Sequence, residues 1–296
     1  MNHIISYGVQ IPKTRIKTEQ LTRSIASDAD DTTTLATLAA KKALQGKIPK
    51  AIYLGSESHA YSVKPTSAIV AKQLALPSDL FAVDLEFACK AGTAALYAAS
   101  NHSDYTLAIG ADIGAAKAGD ALEQTVGSAA AAFLLGPEEE AIATIDYKTS
   151  LTNETPDFWK NHDSDTPDHT GRFTSFTYQN LVTETIQKLL NETNSKLADY
   201  RFVILHTPNL KLPNQIPGIN PNQLLNTQIA AQIGNTLSAN TLIGLAAALD
   251  QANPNDKILV CSYGSGAGCD AFVITATQNI QNYNPVQSVN NAIACI

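Results

Sequence analysis

The chain repeats one order of elements, and this repeat most strongly limits how it can fold. In the first half an apolar run ends at Glu57, and Cys89 follows about 30 residues later, before a segment rich in Ala and Gly. In the second half an apolar run ends at His206, and Asn235 precedes a similar segment. A repeat of this kind predicts duplicated βαβ units, in which helices cover the faces of the sheets.

The predicted division lies between residues 140 and 141. Residues 1–140 are called the N-terminal half here, and residues 141–296 the C-terminal half. The small-residue helices of the two halves are expected to pack against each other, because Ala and Gly let backbones approach closely. Polar strand ends from both halves then meet at a pseudo-twofold axis, where we expect a functional site.

Periodicity and breakers predict the individual elements. Strands are expected at 3–11, 51–54, 80–89, 105–109, 129–135, 141–147, 201–205, 257–261 and 271–276. Helices are expected at 32–44, 66–74, 92–100, 178–191 and 235–248. The alanine content of 129–135 leaves a helix open there. Residues 151–174 are predicted to form an irregular cap over a site, and the tail after Thr277 is predicted to be loosely held.

Composition excludes several classes of protein. The chain has 296 residues, of which 44% are hydrophobic, enough for a large core. Its formal net charge is −7 and it has no Lys/Arg run, so no nucleic-acid partner is expected. The absence of a signal peptide and of an 18-residue apolar run predicts a cytoplasmic protein without a membrane span.

The cysteines are widely spaced, at Cys89, Cys261, Cys269 and Cys295. No C-x-x-C pair occurs, which argues against a structural zinc site and against a disulfide framework. The acidic residues Asp112, Asp120 and Glu123 lack the spacing of a metal site. We therefore expect no metal.

Cys89 lies at a predicted junction between a strand and a helix. A thiol there meets unpaired backbone N–H groups and the positive end of the helix dipole, and both favour the nucleophilic thiolate. Lys90 adds to this effect if its side chain turns inward. The alternative is a buried structural cysteine, a common environment for this residue.

Four residues occupy equivalent positions in the two halves, and together they suit acyl-transfer chemistry. Cys89 can accept an acyl group as a thioester. Glu57 can remove a proton from carbon if burial raises its pKa. His206 and Asn235 can donate hydrogen bonds to a carbonyl oxygen, and the glycine-rich turn at 264–266 can stabilise an oxyanion.

Each residue also has a purely structural interpretation. Glu57 can be a solvated or capping carboxylate, and His206 an ordinary loop histidine. Asn235 with Thr236 can be only a helix N-cap. The turn at 264–266 can be a plain turn, since it lacks the rest of a phosphate-binding loop.

Several segments, taken in order, resemble the hydroxymethylglutaryl-CoA synthase family of the thiolase superfamily, most closely its archaeal type. The similar segments are residues 7–12, 55–59, 63–66, 84–93, 108–112, 155–159, 171–174, 206–209, 234–236 and 263–272. The resemblance covers almost the whole chain to about Thr277. It implies an α/β, five-layered αβαβα thiolase-like fold built from two duplicated halves.

The resemblance also implies an activity. The family condenses acetyl-CoA with acetoacetyl-CoA in the mevalonate pathway and releases CoA, with CoA thioesters as substrates and no separate cofactor. By this resemblance Cys89 is the acetylated nucleophile, Glu57 the general acid/base and His206 the residue that binds the acetoacetyl group. The implied substrate-binding residues are Asn235, Ser265 and Lys211.

Partners and departures follow from the same resemblance. It implies a homodimer, and a complex with acetoacetyl-CoA thiolase and a small OB-fold/zinc-ribbon protein. The connections at 100–105 and 211–225 are shorter than is usual in the family. Thr207 stands where Gln is usual, and Cys269 stands where Ser is usual.

Two other functions remain open from sequence. A 3-ketoacyl-acyl-carrier-protein synthase III also uses Cys, His and Asn, but it forms its carbanion by decarboxylation and needs no carboxylate at Glu57. A non-catalytic subunit of a thiolase complex is expected to lose Cys89, Glu57 or His206, and this chain keeps all three.

Overall fold

The computed structural model describes residues 3–86, 88–161 and 163–295. Its strands are β1 (His3–Gln10), β2 (Thr14–Lys17), β3 (Thr22–Ile25), β4 (Ala51–Gly55), β5 (Phe81–Leu85), β6 (Thr106–Asp112), β7 (Ala129–Gly136), β8 (Ala143–Thr152), β9 (Phe158–Trp159), β10 (Asp168–His169), β11 (Phe202–Leu205), β12 (Lys257–Gly264) and β13 (Gly268–Ala276).

The α-helices are α1 (Thr32–Leu44), α2 (Thr66–Gln73), α3 (Ala91–Ala99), α4 (Gly171–Glu192), α5 (Leu225–Ile233), α6 (Asn240–Leu249) and α7 (Val289–Ala294). The start of α1 shows why these boundaries form where they do. The Asp31 side chain accepts a 2.7 Å hydrogen bond from the Thr34 N–H, which satisfies a donor left free at the helix start.

The described strands form a nine-stranded sheet in the order β11-β12-β13-β8-β1-β7-β6-β4-β5. The N-terminal half supplies β5, β4, β6, β7 and β1, and the C-terminal half supplies the others. Between β1 and β8 the register contains the single residue pair Ile4 and Ala143. The two sheets expected from the repeat are therefore joined at one corner.

Helices cover both portions of this sheet. Helix α1 packs on β1, β6 and β7, and α2 on β4 and β5. Helices α3 and α6 contact each other and lie between the sheet portions, α3 on β4 and β6 and α6 on β11 and β12. Helix α4 covers β8, β12 and β13. The sequence of layers is αβαβα, which confirms the predicted fold. The division between residues 140 and 141 falls between β7 and β8, and as a domain boundary it stays a prediction.

Very close packing joins the two halves at their centre. A Cβ atom placed on Gly92 would lie 2.2 Å from the Ser238 carbonyl oxygen, and one on Gly110 would lie 2.6 Å from the same oxygen. Only glycine leaves space for this approach. The expected contact between the small-residue segments is thus confirmed.

The alanine-rich segment 129–135 lies in strand β7, so the alternative of a helix is wrong. Its side chains alternate between two cores. Ala131, Phe133 and Leu135 belong to the core beneath α6, whereas Ala130 and Leu134 belong to the core beneath α1. In a strand that is buried on both faces, successive side chains point into opposite cores, and none of them needs to be polar.

The predicted strand at 80–89 is wrong in length and in burial. Strand β5 ends at Leu85, and Cys89 lies in a turn before α3. Phe81 is 55% exposed because β5 is the outermost strand of the sheet. Phe87, which the sequence analysis included in this strand, is outside the described residues.

Other differences concern helices and the tail. Helix α4 begins at Gly171 rather than at residue 178, and α6 begins at Asn240 after a 3-10 turn at Leu237–Ala239. Helix α5 and the β2–β3 hairpin were not predicted. The tail is held rather than loose, because α7 buries Val289, Ala292 and Ile293 against the core.

Candidate active site

A cavity of about 690 Å³ lies where the two halves meet, and it brings all the predicted site residues together. Its lining includes Glu57, Cys89, His206, Asn235, Ser265 and Lys211. The cap segment supplies another wall, since Phe158, Lys160 and His169 also line the cavity.

Glu57 directly follows β4, and a buried carboxylate holds its loop in place. Asp112, at the end of β6, accepts hydrogen bonds from the Ser56 hydroxyl at 2.8 Å, the Glu57 N–H at 2.8 Å and the Ser58 hydroxyl at 2.7 Å. It also accepts one from the Ser238 N–H of the other half at 2.9 Å. Sequence reasoning considered Asp112 only as a metal ligand and missed this role.

Burial changes the acidity of Glu57. It raises the pKa of this carboxyl to about 8, and the nearby Asp112 charge adds to the rise. Atom Oε1 has no hydrogen-bond partner within the described ranges. The sequence analysis required burial to raise the pKa of Glu57 if this carboxyl is to remove a proton from carbon, and burial does so. Its Oε1 atom is free to receive that proton.

Cys89 does not have the environment that its position in sequence suggested. It is 6% exposed and belongs to an apolar cluster with Val126 and Leu237. Burial, followed by the adjacent Glu57, raises the pKa of the thiol well above its usual value. Burial and the neighbouring carboxyl thus oppose the stabilised thiolate that the position in sequence predicts.

Lys90 turns inward but does not assist the thiol. Its Nζ forms a 2.7 Å ion pair with Asp270 of β13. Asp270 also accepts hydrogen bonds from Thr93 at 3.1 Å and from Ser150 at 2.7 Å. The pair ties the turn that carries Cys89 to the C-terminal half.

His206 follows β11 and has a defined tautomer. The Asn235 Oδ1 atom accepts a 3.1 Å hydrogen bond from the Leu237 N–H, which fixes the orientation of the amide. His206 Nε2 lies 3.2 Å from the same oxygen and must therefore carry the proton and donate it. Burial lowers the pKa of His206 to about 4, so the ring is neutral near pH 7.

Asn235 lies directly before Thr236, the N-cap of the 3-10 turn Leu237–Ala239, and its side chain accepts a hydrogen bond from the Leu237 N–H, so the capping interpretation is confirmed in part. Its backbone N–H donates to the Thr125 carbonyl at 2.7 Å, and its carbonyl accepts from the Gly127 N–H at 2.8 Å. Asn235 is thereby held by the N-terminal half while its side chain orients His206.

The cap is fastened by a second buried carboxylate that the sequence analysis did not single out. Asp157 accepts hydrogen bonds from the Tyr263 hydroxyl at 2.9 Å and from the Thr155 hydroxyl at 2.7 Å. The Tyr263 ring stacks on His206 with the ring centroids 6.5 Å apart. Both Asp157 and Asp112 follow or flank strands in the sequence, but only their burial distinguishes them from solvated carboxylates.

Two further properties concern the described residues alone. They contain no group of three or more His, Cys, Asp or Glu side chains placed to hold a metal ion. Among the helices in the described ranges, none has both the length and the apolar character needed to cross a membrane.

Proteins that are similar to this chain in sequence share one name. The hydroxymethylglutaryl-CoA synthase of Archaeoglobus fulgidus is 39% identical over 312 residues, which covers 95% of this chain and 90% of the relative. The enzyme of that name from Methanosarcina barkeri is 40% identical over 311 residues, covering 94% of this chain and 89% of the relative. The chain belongs to the hydroxymethylglutaryl-CoA synthase family.

Solved structures that superimpose on this chain include a member of the same family. A hydroxymethylglutaryl-CoA synthase complexed with CoA superimposes with a TM-score of 0.84 at 22% identity, covering 95% of this chain and 84% of that one. The 3-oxoacyl-(acyl carrier protein) synthase III of Pseudomonas aeruginosa superimposes with a TM-score of 0.85 at 16% identity, covering 93% and 98%. The fold is that of the thiolase enzymes. No protein-family model matches the chain.

Proposed function

We propose that this member of the hydroxymethylglutaryl-CoA synthase family condenses acetyl-CoA with acetoacetyl-CoA and water to give 3-hydroxy-3-methylglutaryl-CoA and CoA, in the mevalonate pathway. The observation that carries the proposal is the convergence of Glu57, Cys89 and His206 on one cavity. The CoA thioesters are the substrates.

In the first step Cys89 is acetylated. Its sulfur attacks the thioester carbonyl of acetyl-CoA, the new S–C bond forms, and the bond to the CoA sulfur breaks. The Cys89 thiol, which is hydrogen-bonded to Glu57, gives up its proton in this step, and the proton leaves with the departing CoA thiolate. The raised pKa of the thiol means that the proton leaves during the attack and not before it.

In the second step Glu57 acts on carbon. The ionised carboxylate removes a proton from the acetyl methyl group, and the resulting carbanion equivalent attacks the ketone carbon of acetoacetyl-CoA. Glu57 then returns the proton to the new alkoxide. His206 Nε2–H donates to Asn235 Oδ1 when no substrate is bound, and we propose that it donates to a carbonyl oxygen when the acetoacetyl group is in place. Water finally cleaves the thioester to Cys89 and releases the product.

The position of Glu57 favours this reaction over a decarboxylative condensation. A decarboxylating enzyme obtains its carbanion from loss of CO₂, so a buried carboxyl beside the nucleophile has no part in its chemistry. Here the carboxyl faces the cavity, and its pKa of about 8 suits a base that acts near neutral pH. A non-catalytic role in a thiolase complex gives no reason to retain this arrangement.

We assign the remaining site residues on their positions in the cavity. Ser265 lies in the turn between β12 and β13, and Asn235 lies beside His206; both are proposed to contact the acyl groups. Lys211 is exposed at the cavity and is proposed to contact a phosphate of CoA.

A homodimer is proposed from the free outer edge of the sheet. β5 is one of the two edge strands of the sheet, and its Phe81 is exposed; Tyr61 and Val63, in the loop between β4 and α2, are exposed as well. An edge strand of this kind is a template for pairing with a second copy. The family resemblance is the basis for proposing acetoacetyl-CoA thiolase and a small OB-fold/zinc-ribbon protein as further partners, and for a cytoplasmic location.

The test is to incubate the purified chain with both thioesters and follow the acyl-CoA species and the protein by mass spectrometry. We expect 3-hydroxy-3-methylglutaryl-CoA from the parent protein and none from Cys89→Ala. Acetylated Cys89 without condensation would point to a missing partner or to an acyl-carrier-protein acceptor. A protein that is never acetylated would support the non-catalytic role.

A further inference from the structure

Leu237 has a backbone conformation that non-glycine residues rarely adopt. Its φ angle is +52°, in the left-handed region, and its side chain lies at the cavity. Such conformations cost about 1–3 kcal/mol and persist where the surroundings impose them, often at functional sites.

The backbone around Leu237 is clamped on both sides. The Leu237 N–H donates to Asn235 Oδ1 at 3.1 Å, and the Ser238 N–H donates to Asp112 Oδ2 at 2.9 Å. The Ser238 hydroxyl donates to the Gly55 carbonyl at 3.1 Å. Since Gly92 and Gly110 leave the Ser238 carbonyl no spare room, this turn cannot shift outward to accommodate a larger ligand.

The Leu237 side chain forms part of a small apolar cluster around the nucleophile. The cluster consists of Cys89, Val126 and Leu237, with Ala116 packed against it. Leu237 is 9% exposed and Val126 4%, and both line the cavity beside Cys89. The C-terminal half supplies one side of this apolar wall and the N-terminal half the other.

Val126 is fixed as firmly as Leu237. It pairs with Asn235 in an isolated parallel bridge, and the next residue, Gly127, donates to the Asn235 carbonyl. A Cβ on Gly114 would lie 2.8 Å from Val126 Cγ2, so the side chain is tightly packed from behind. Neither residue has room to move away from the thiol.

We propose that Leu237 and Val126 are specificity-determining residues that restrict the acyl group on Cys89 to acetyl. This inference rests on the proposed function. The α-carbon of the acyl group must face Glu57, whose Oε1 is free, so any further carbon of the chain lies against the Leu237–Val126 wall. In a rigid apolar pocket one additional methylene typically lowers the rate by 10- to 200-fold.

The test is a competition between acyl donors. The parent protein, Val126→Ala, Leu237→Ala and the double variant are each given equal concentrations of acetyl-CoA and propionyl-CoA. In each acylation one S–C bond to Cys89 forms, one bond to the CoA sulfur breaks, and the thiol proton leaves with CoA. The mass of the acyl-protein gives the ratio of propionyl to acetyl groups, and Cys89→Ala gives the background.

We expect the parent to carry acetyl almost alone, and each single variant to raise the propionyl-to-acetyl ratio about tenfold. Val126→Ile, which adds a methylene to the wall, should slow acetylation itself. Leu210→Ala is the matched control, because Leu210 lines the same cavity but lies outside the Cys89 cluster. Its ratio should equal that of the parent.

An unchanged ratio in Val126→Ala, with acetylation intact, overturns the inference and leaves the proposed function standing. If Leu237→Ala does not fold, the ratio measured with Val126→Ala alone tests whether the wall restricts the acyl group. A parent protein that forms no acyl adduct with either donor overturns the proposed function, and this inference with it.

Discussion

The two halves of the molecule place different chemical groups on equivalent elements. In the N-terminal half, Glu57 follows β4 and Cys89 precedes α3; in the C-terminal half, His206 follows β11 and Asn235 precedes α6. Burial raises the pKa values of Glu57 and Cys89 and lowers that of His206. The same physical cause thus disfavours the charged form of every titratable group of this set.

This difference divides the work of the site. In the proposed mechanism, the groups that hold and move protons come from the N-terminal half, and the groups that donate hydrogen bonds to oxygen come from the C-terminal half. The halves also differ at their outer edges, since β4 is covered by β5 whereas β11 is itself the outermost strand. The two halves therefore share the arrangement of their central strands and helices, and they differ at their strand ends and sheet edges.

The largest effect is expected for Glu57→Gln, which tests whether the N-terminal half alone supplies the proton-transferring group. If proton transfer from carbon belongs to the N-terminal half alone, condensation should fall about 10²- to 10⁴-fold, as expected for loss of a general base. Acetylation of Cys89 should continue. Single-turnover measurements that start from the acetylated protein separate the two steps, and full condensation activity in this variant would contradict the assignment.

A second change tests whether the halves depend on each other through the buried ion pair. Lys90→Met leaves the Asp270 carboxylate without its cation, and removal of one partner of a buried pair typically destabilises a protein by about 3–5 kcal/mol. Urea unfolding measures the loss. The control is Lys90→Met combined with Asp270→Asn, which should recover much of it; equal losses in both variants would show that the charge is not the cause.

The raised pKa of Glu57 predicts a pH-dependent cost to folding. The carboxyl has a usual pKa of 4.5 and a value of about 8 in the folded chain, so the folded state binds the proton more tightly. The stabilising contribution of the protonated group is complete below pH 4.5 and is lost as the pH rises towards 8. Glu57→Gln should therefore gain on the order of 3 kcal/mol over the parent between pH 5 and pH 9.

Unfolding curves at the two pH values measure this difference. Asn235→Ala serves as the control. It leaves the Glu57 carboxyl unchanged, so its stability should have the same pH dependence as that of the parent. Parallel curves for the parent and Glu57→Gln would mean that the carboxyl is ionised at little cost.

The smallest expected effect concerns the C-terminal half. Asn235→Ala removes the acceptor that fixes the Nε2–H tautomer of His206. A net hydrogen bond contributes about 1 kcal/mol, so condensation should fall by roughly fivefold to tenfold. The rate of Cys89 acetylation should stay close to that of the parent. A larger effect on acetylation than on condensation would place Asn235 with the proton-transferring groups instead.

The repeat in the sequence predicted sheets covered by helices and the meeting of Glu57, Cys89, His206 and Asn235, because strand ends and helix starts are local features. The five layers and Lys211 were predicted by the family resemblance. The repeat did not predict burial. The run at 80–83 looks like a core strand but lies at the sheet edge, and Cys89 looks like a helix-activated thiolate but sits among Val126, Leu237 and Glu57.

The same limit applies to Asp112 and Asp157. Each is an ordinary carboxylate in the sequence, and each becomes a buried acceptor through partners far along the chain, such as Ser238 and Tyr263. The left-handed conformation of Leu237 was likewise beyond prediction, since the next residue, Ser238, is held by Asp112, which is far away in the sequence.

The approach of the Ser238 carbonyl to Gly92 and Gly110 has a consequence for how substrates enter. Two bodies that interlock at van der Waals distance through glycine positions cannot hinge apart without opening a void in the core. We therefore expect thioesters to enter and leave past the peripheral segments, chiefly the cap held by Asp157 and Tyr263, while the packing at the centre of the molecule stays unchanged.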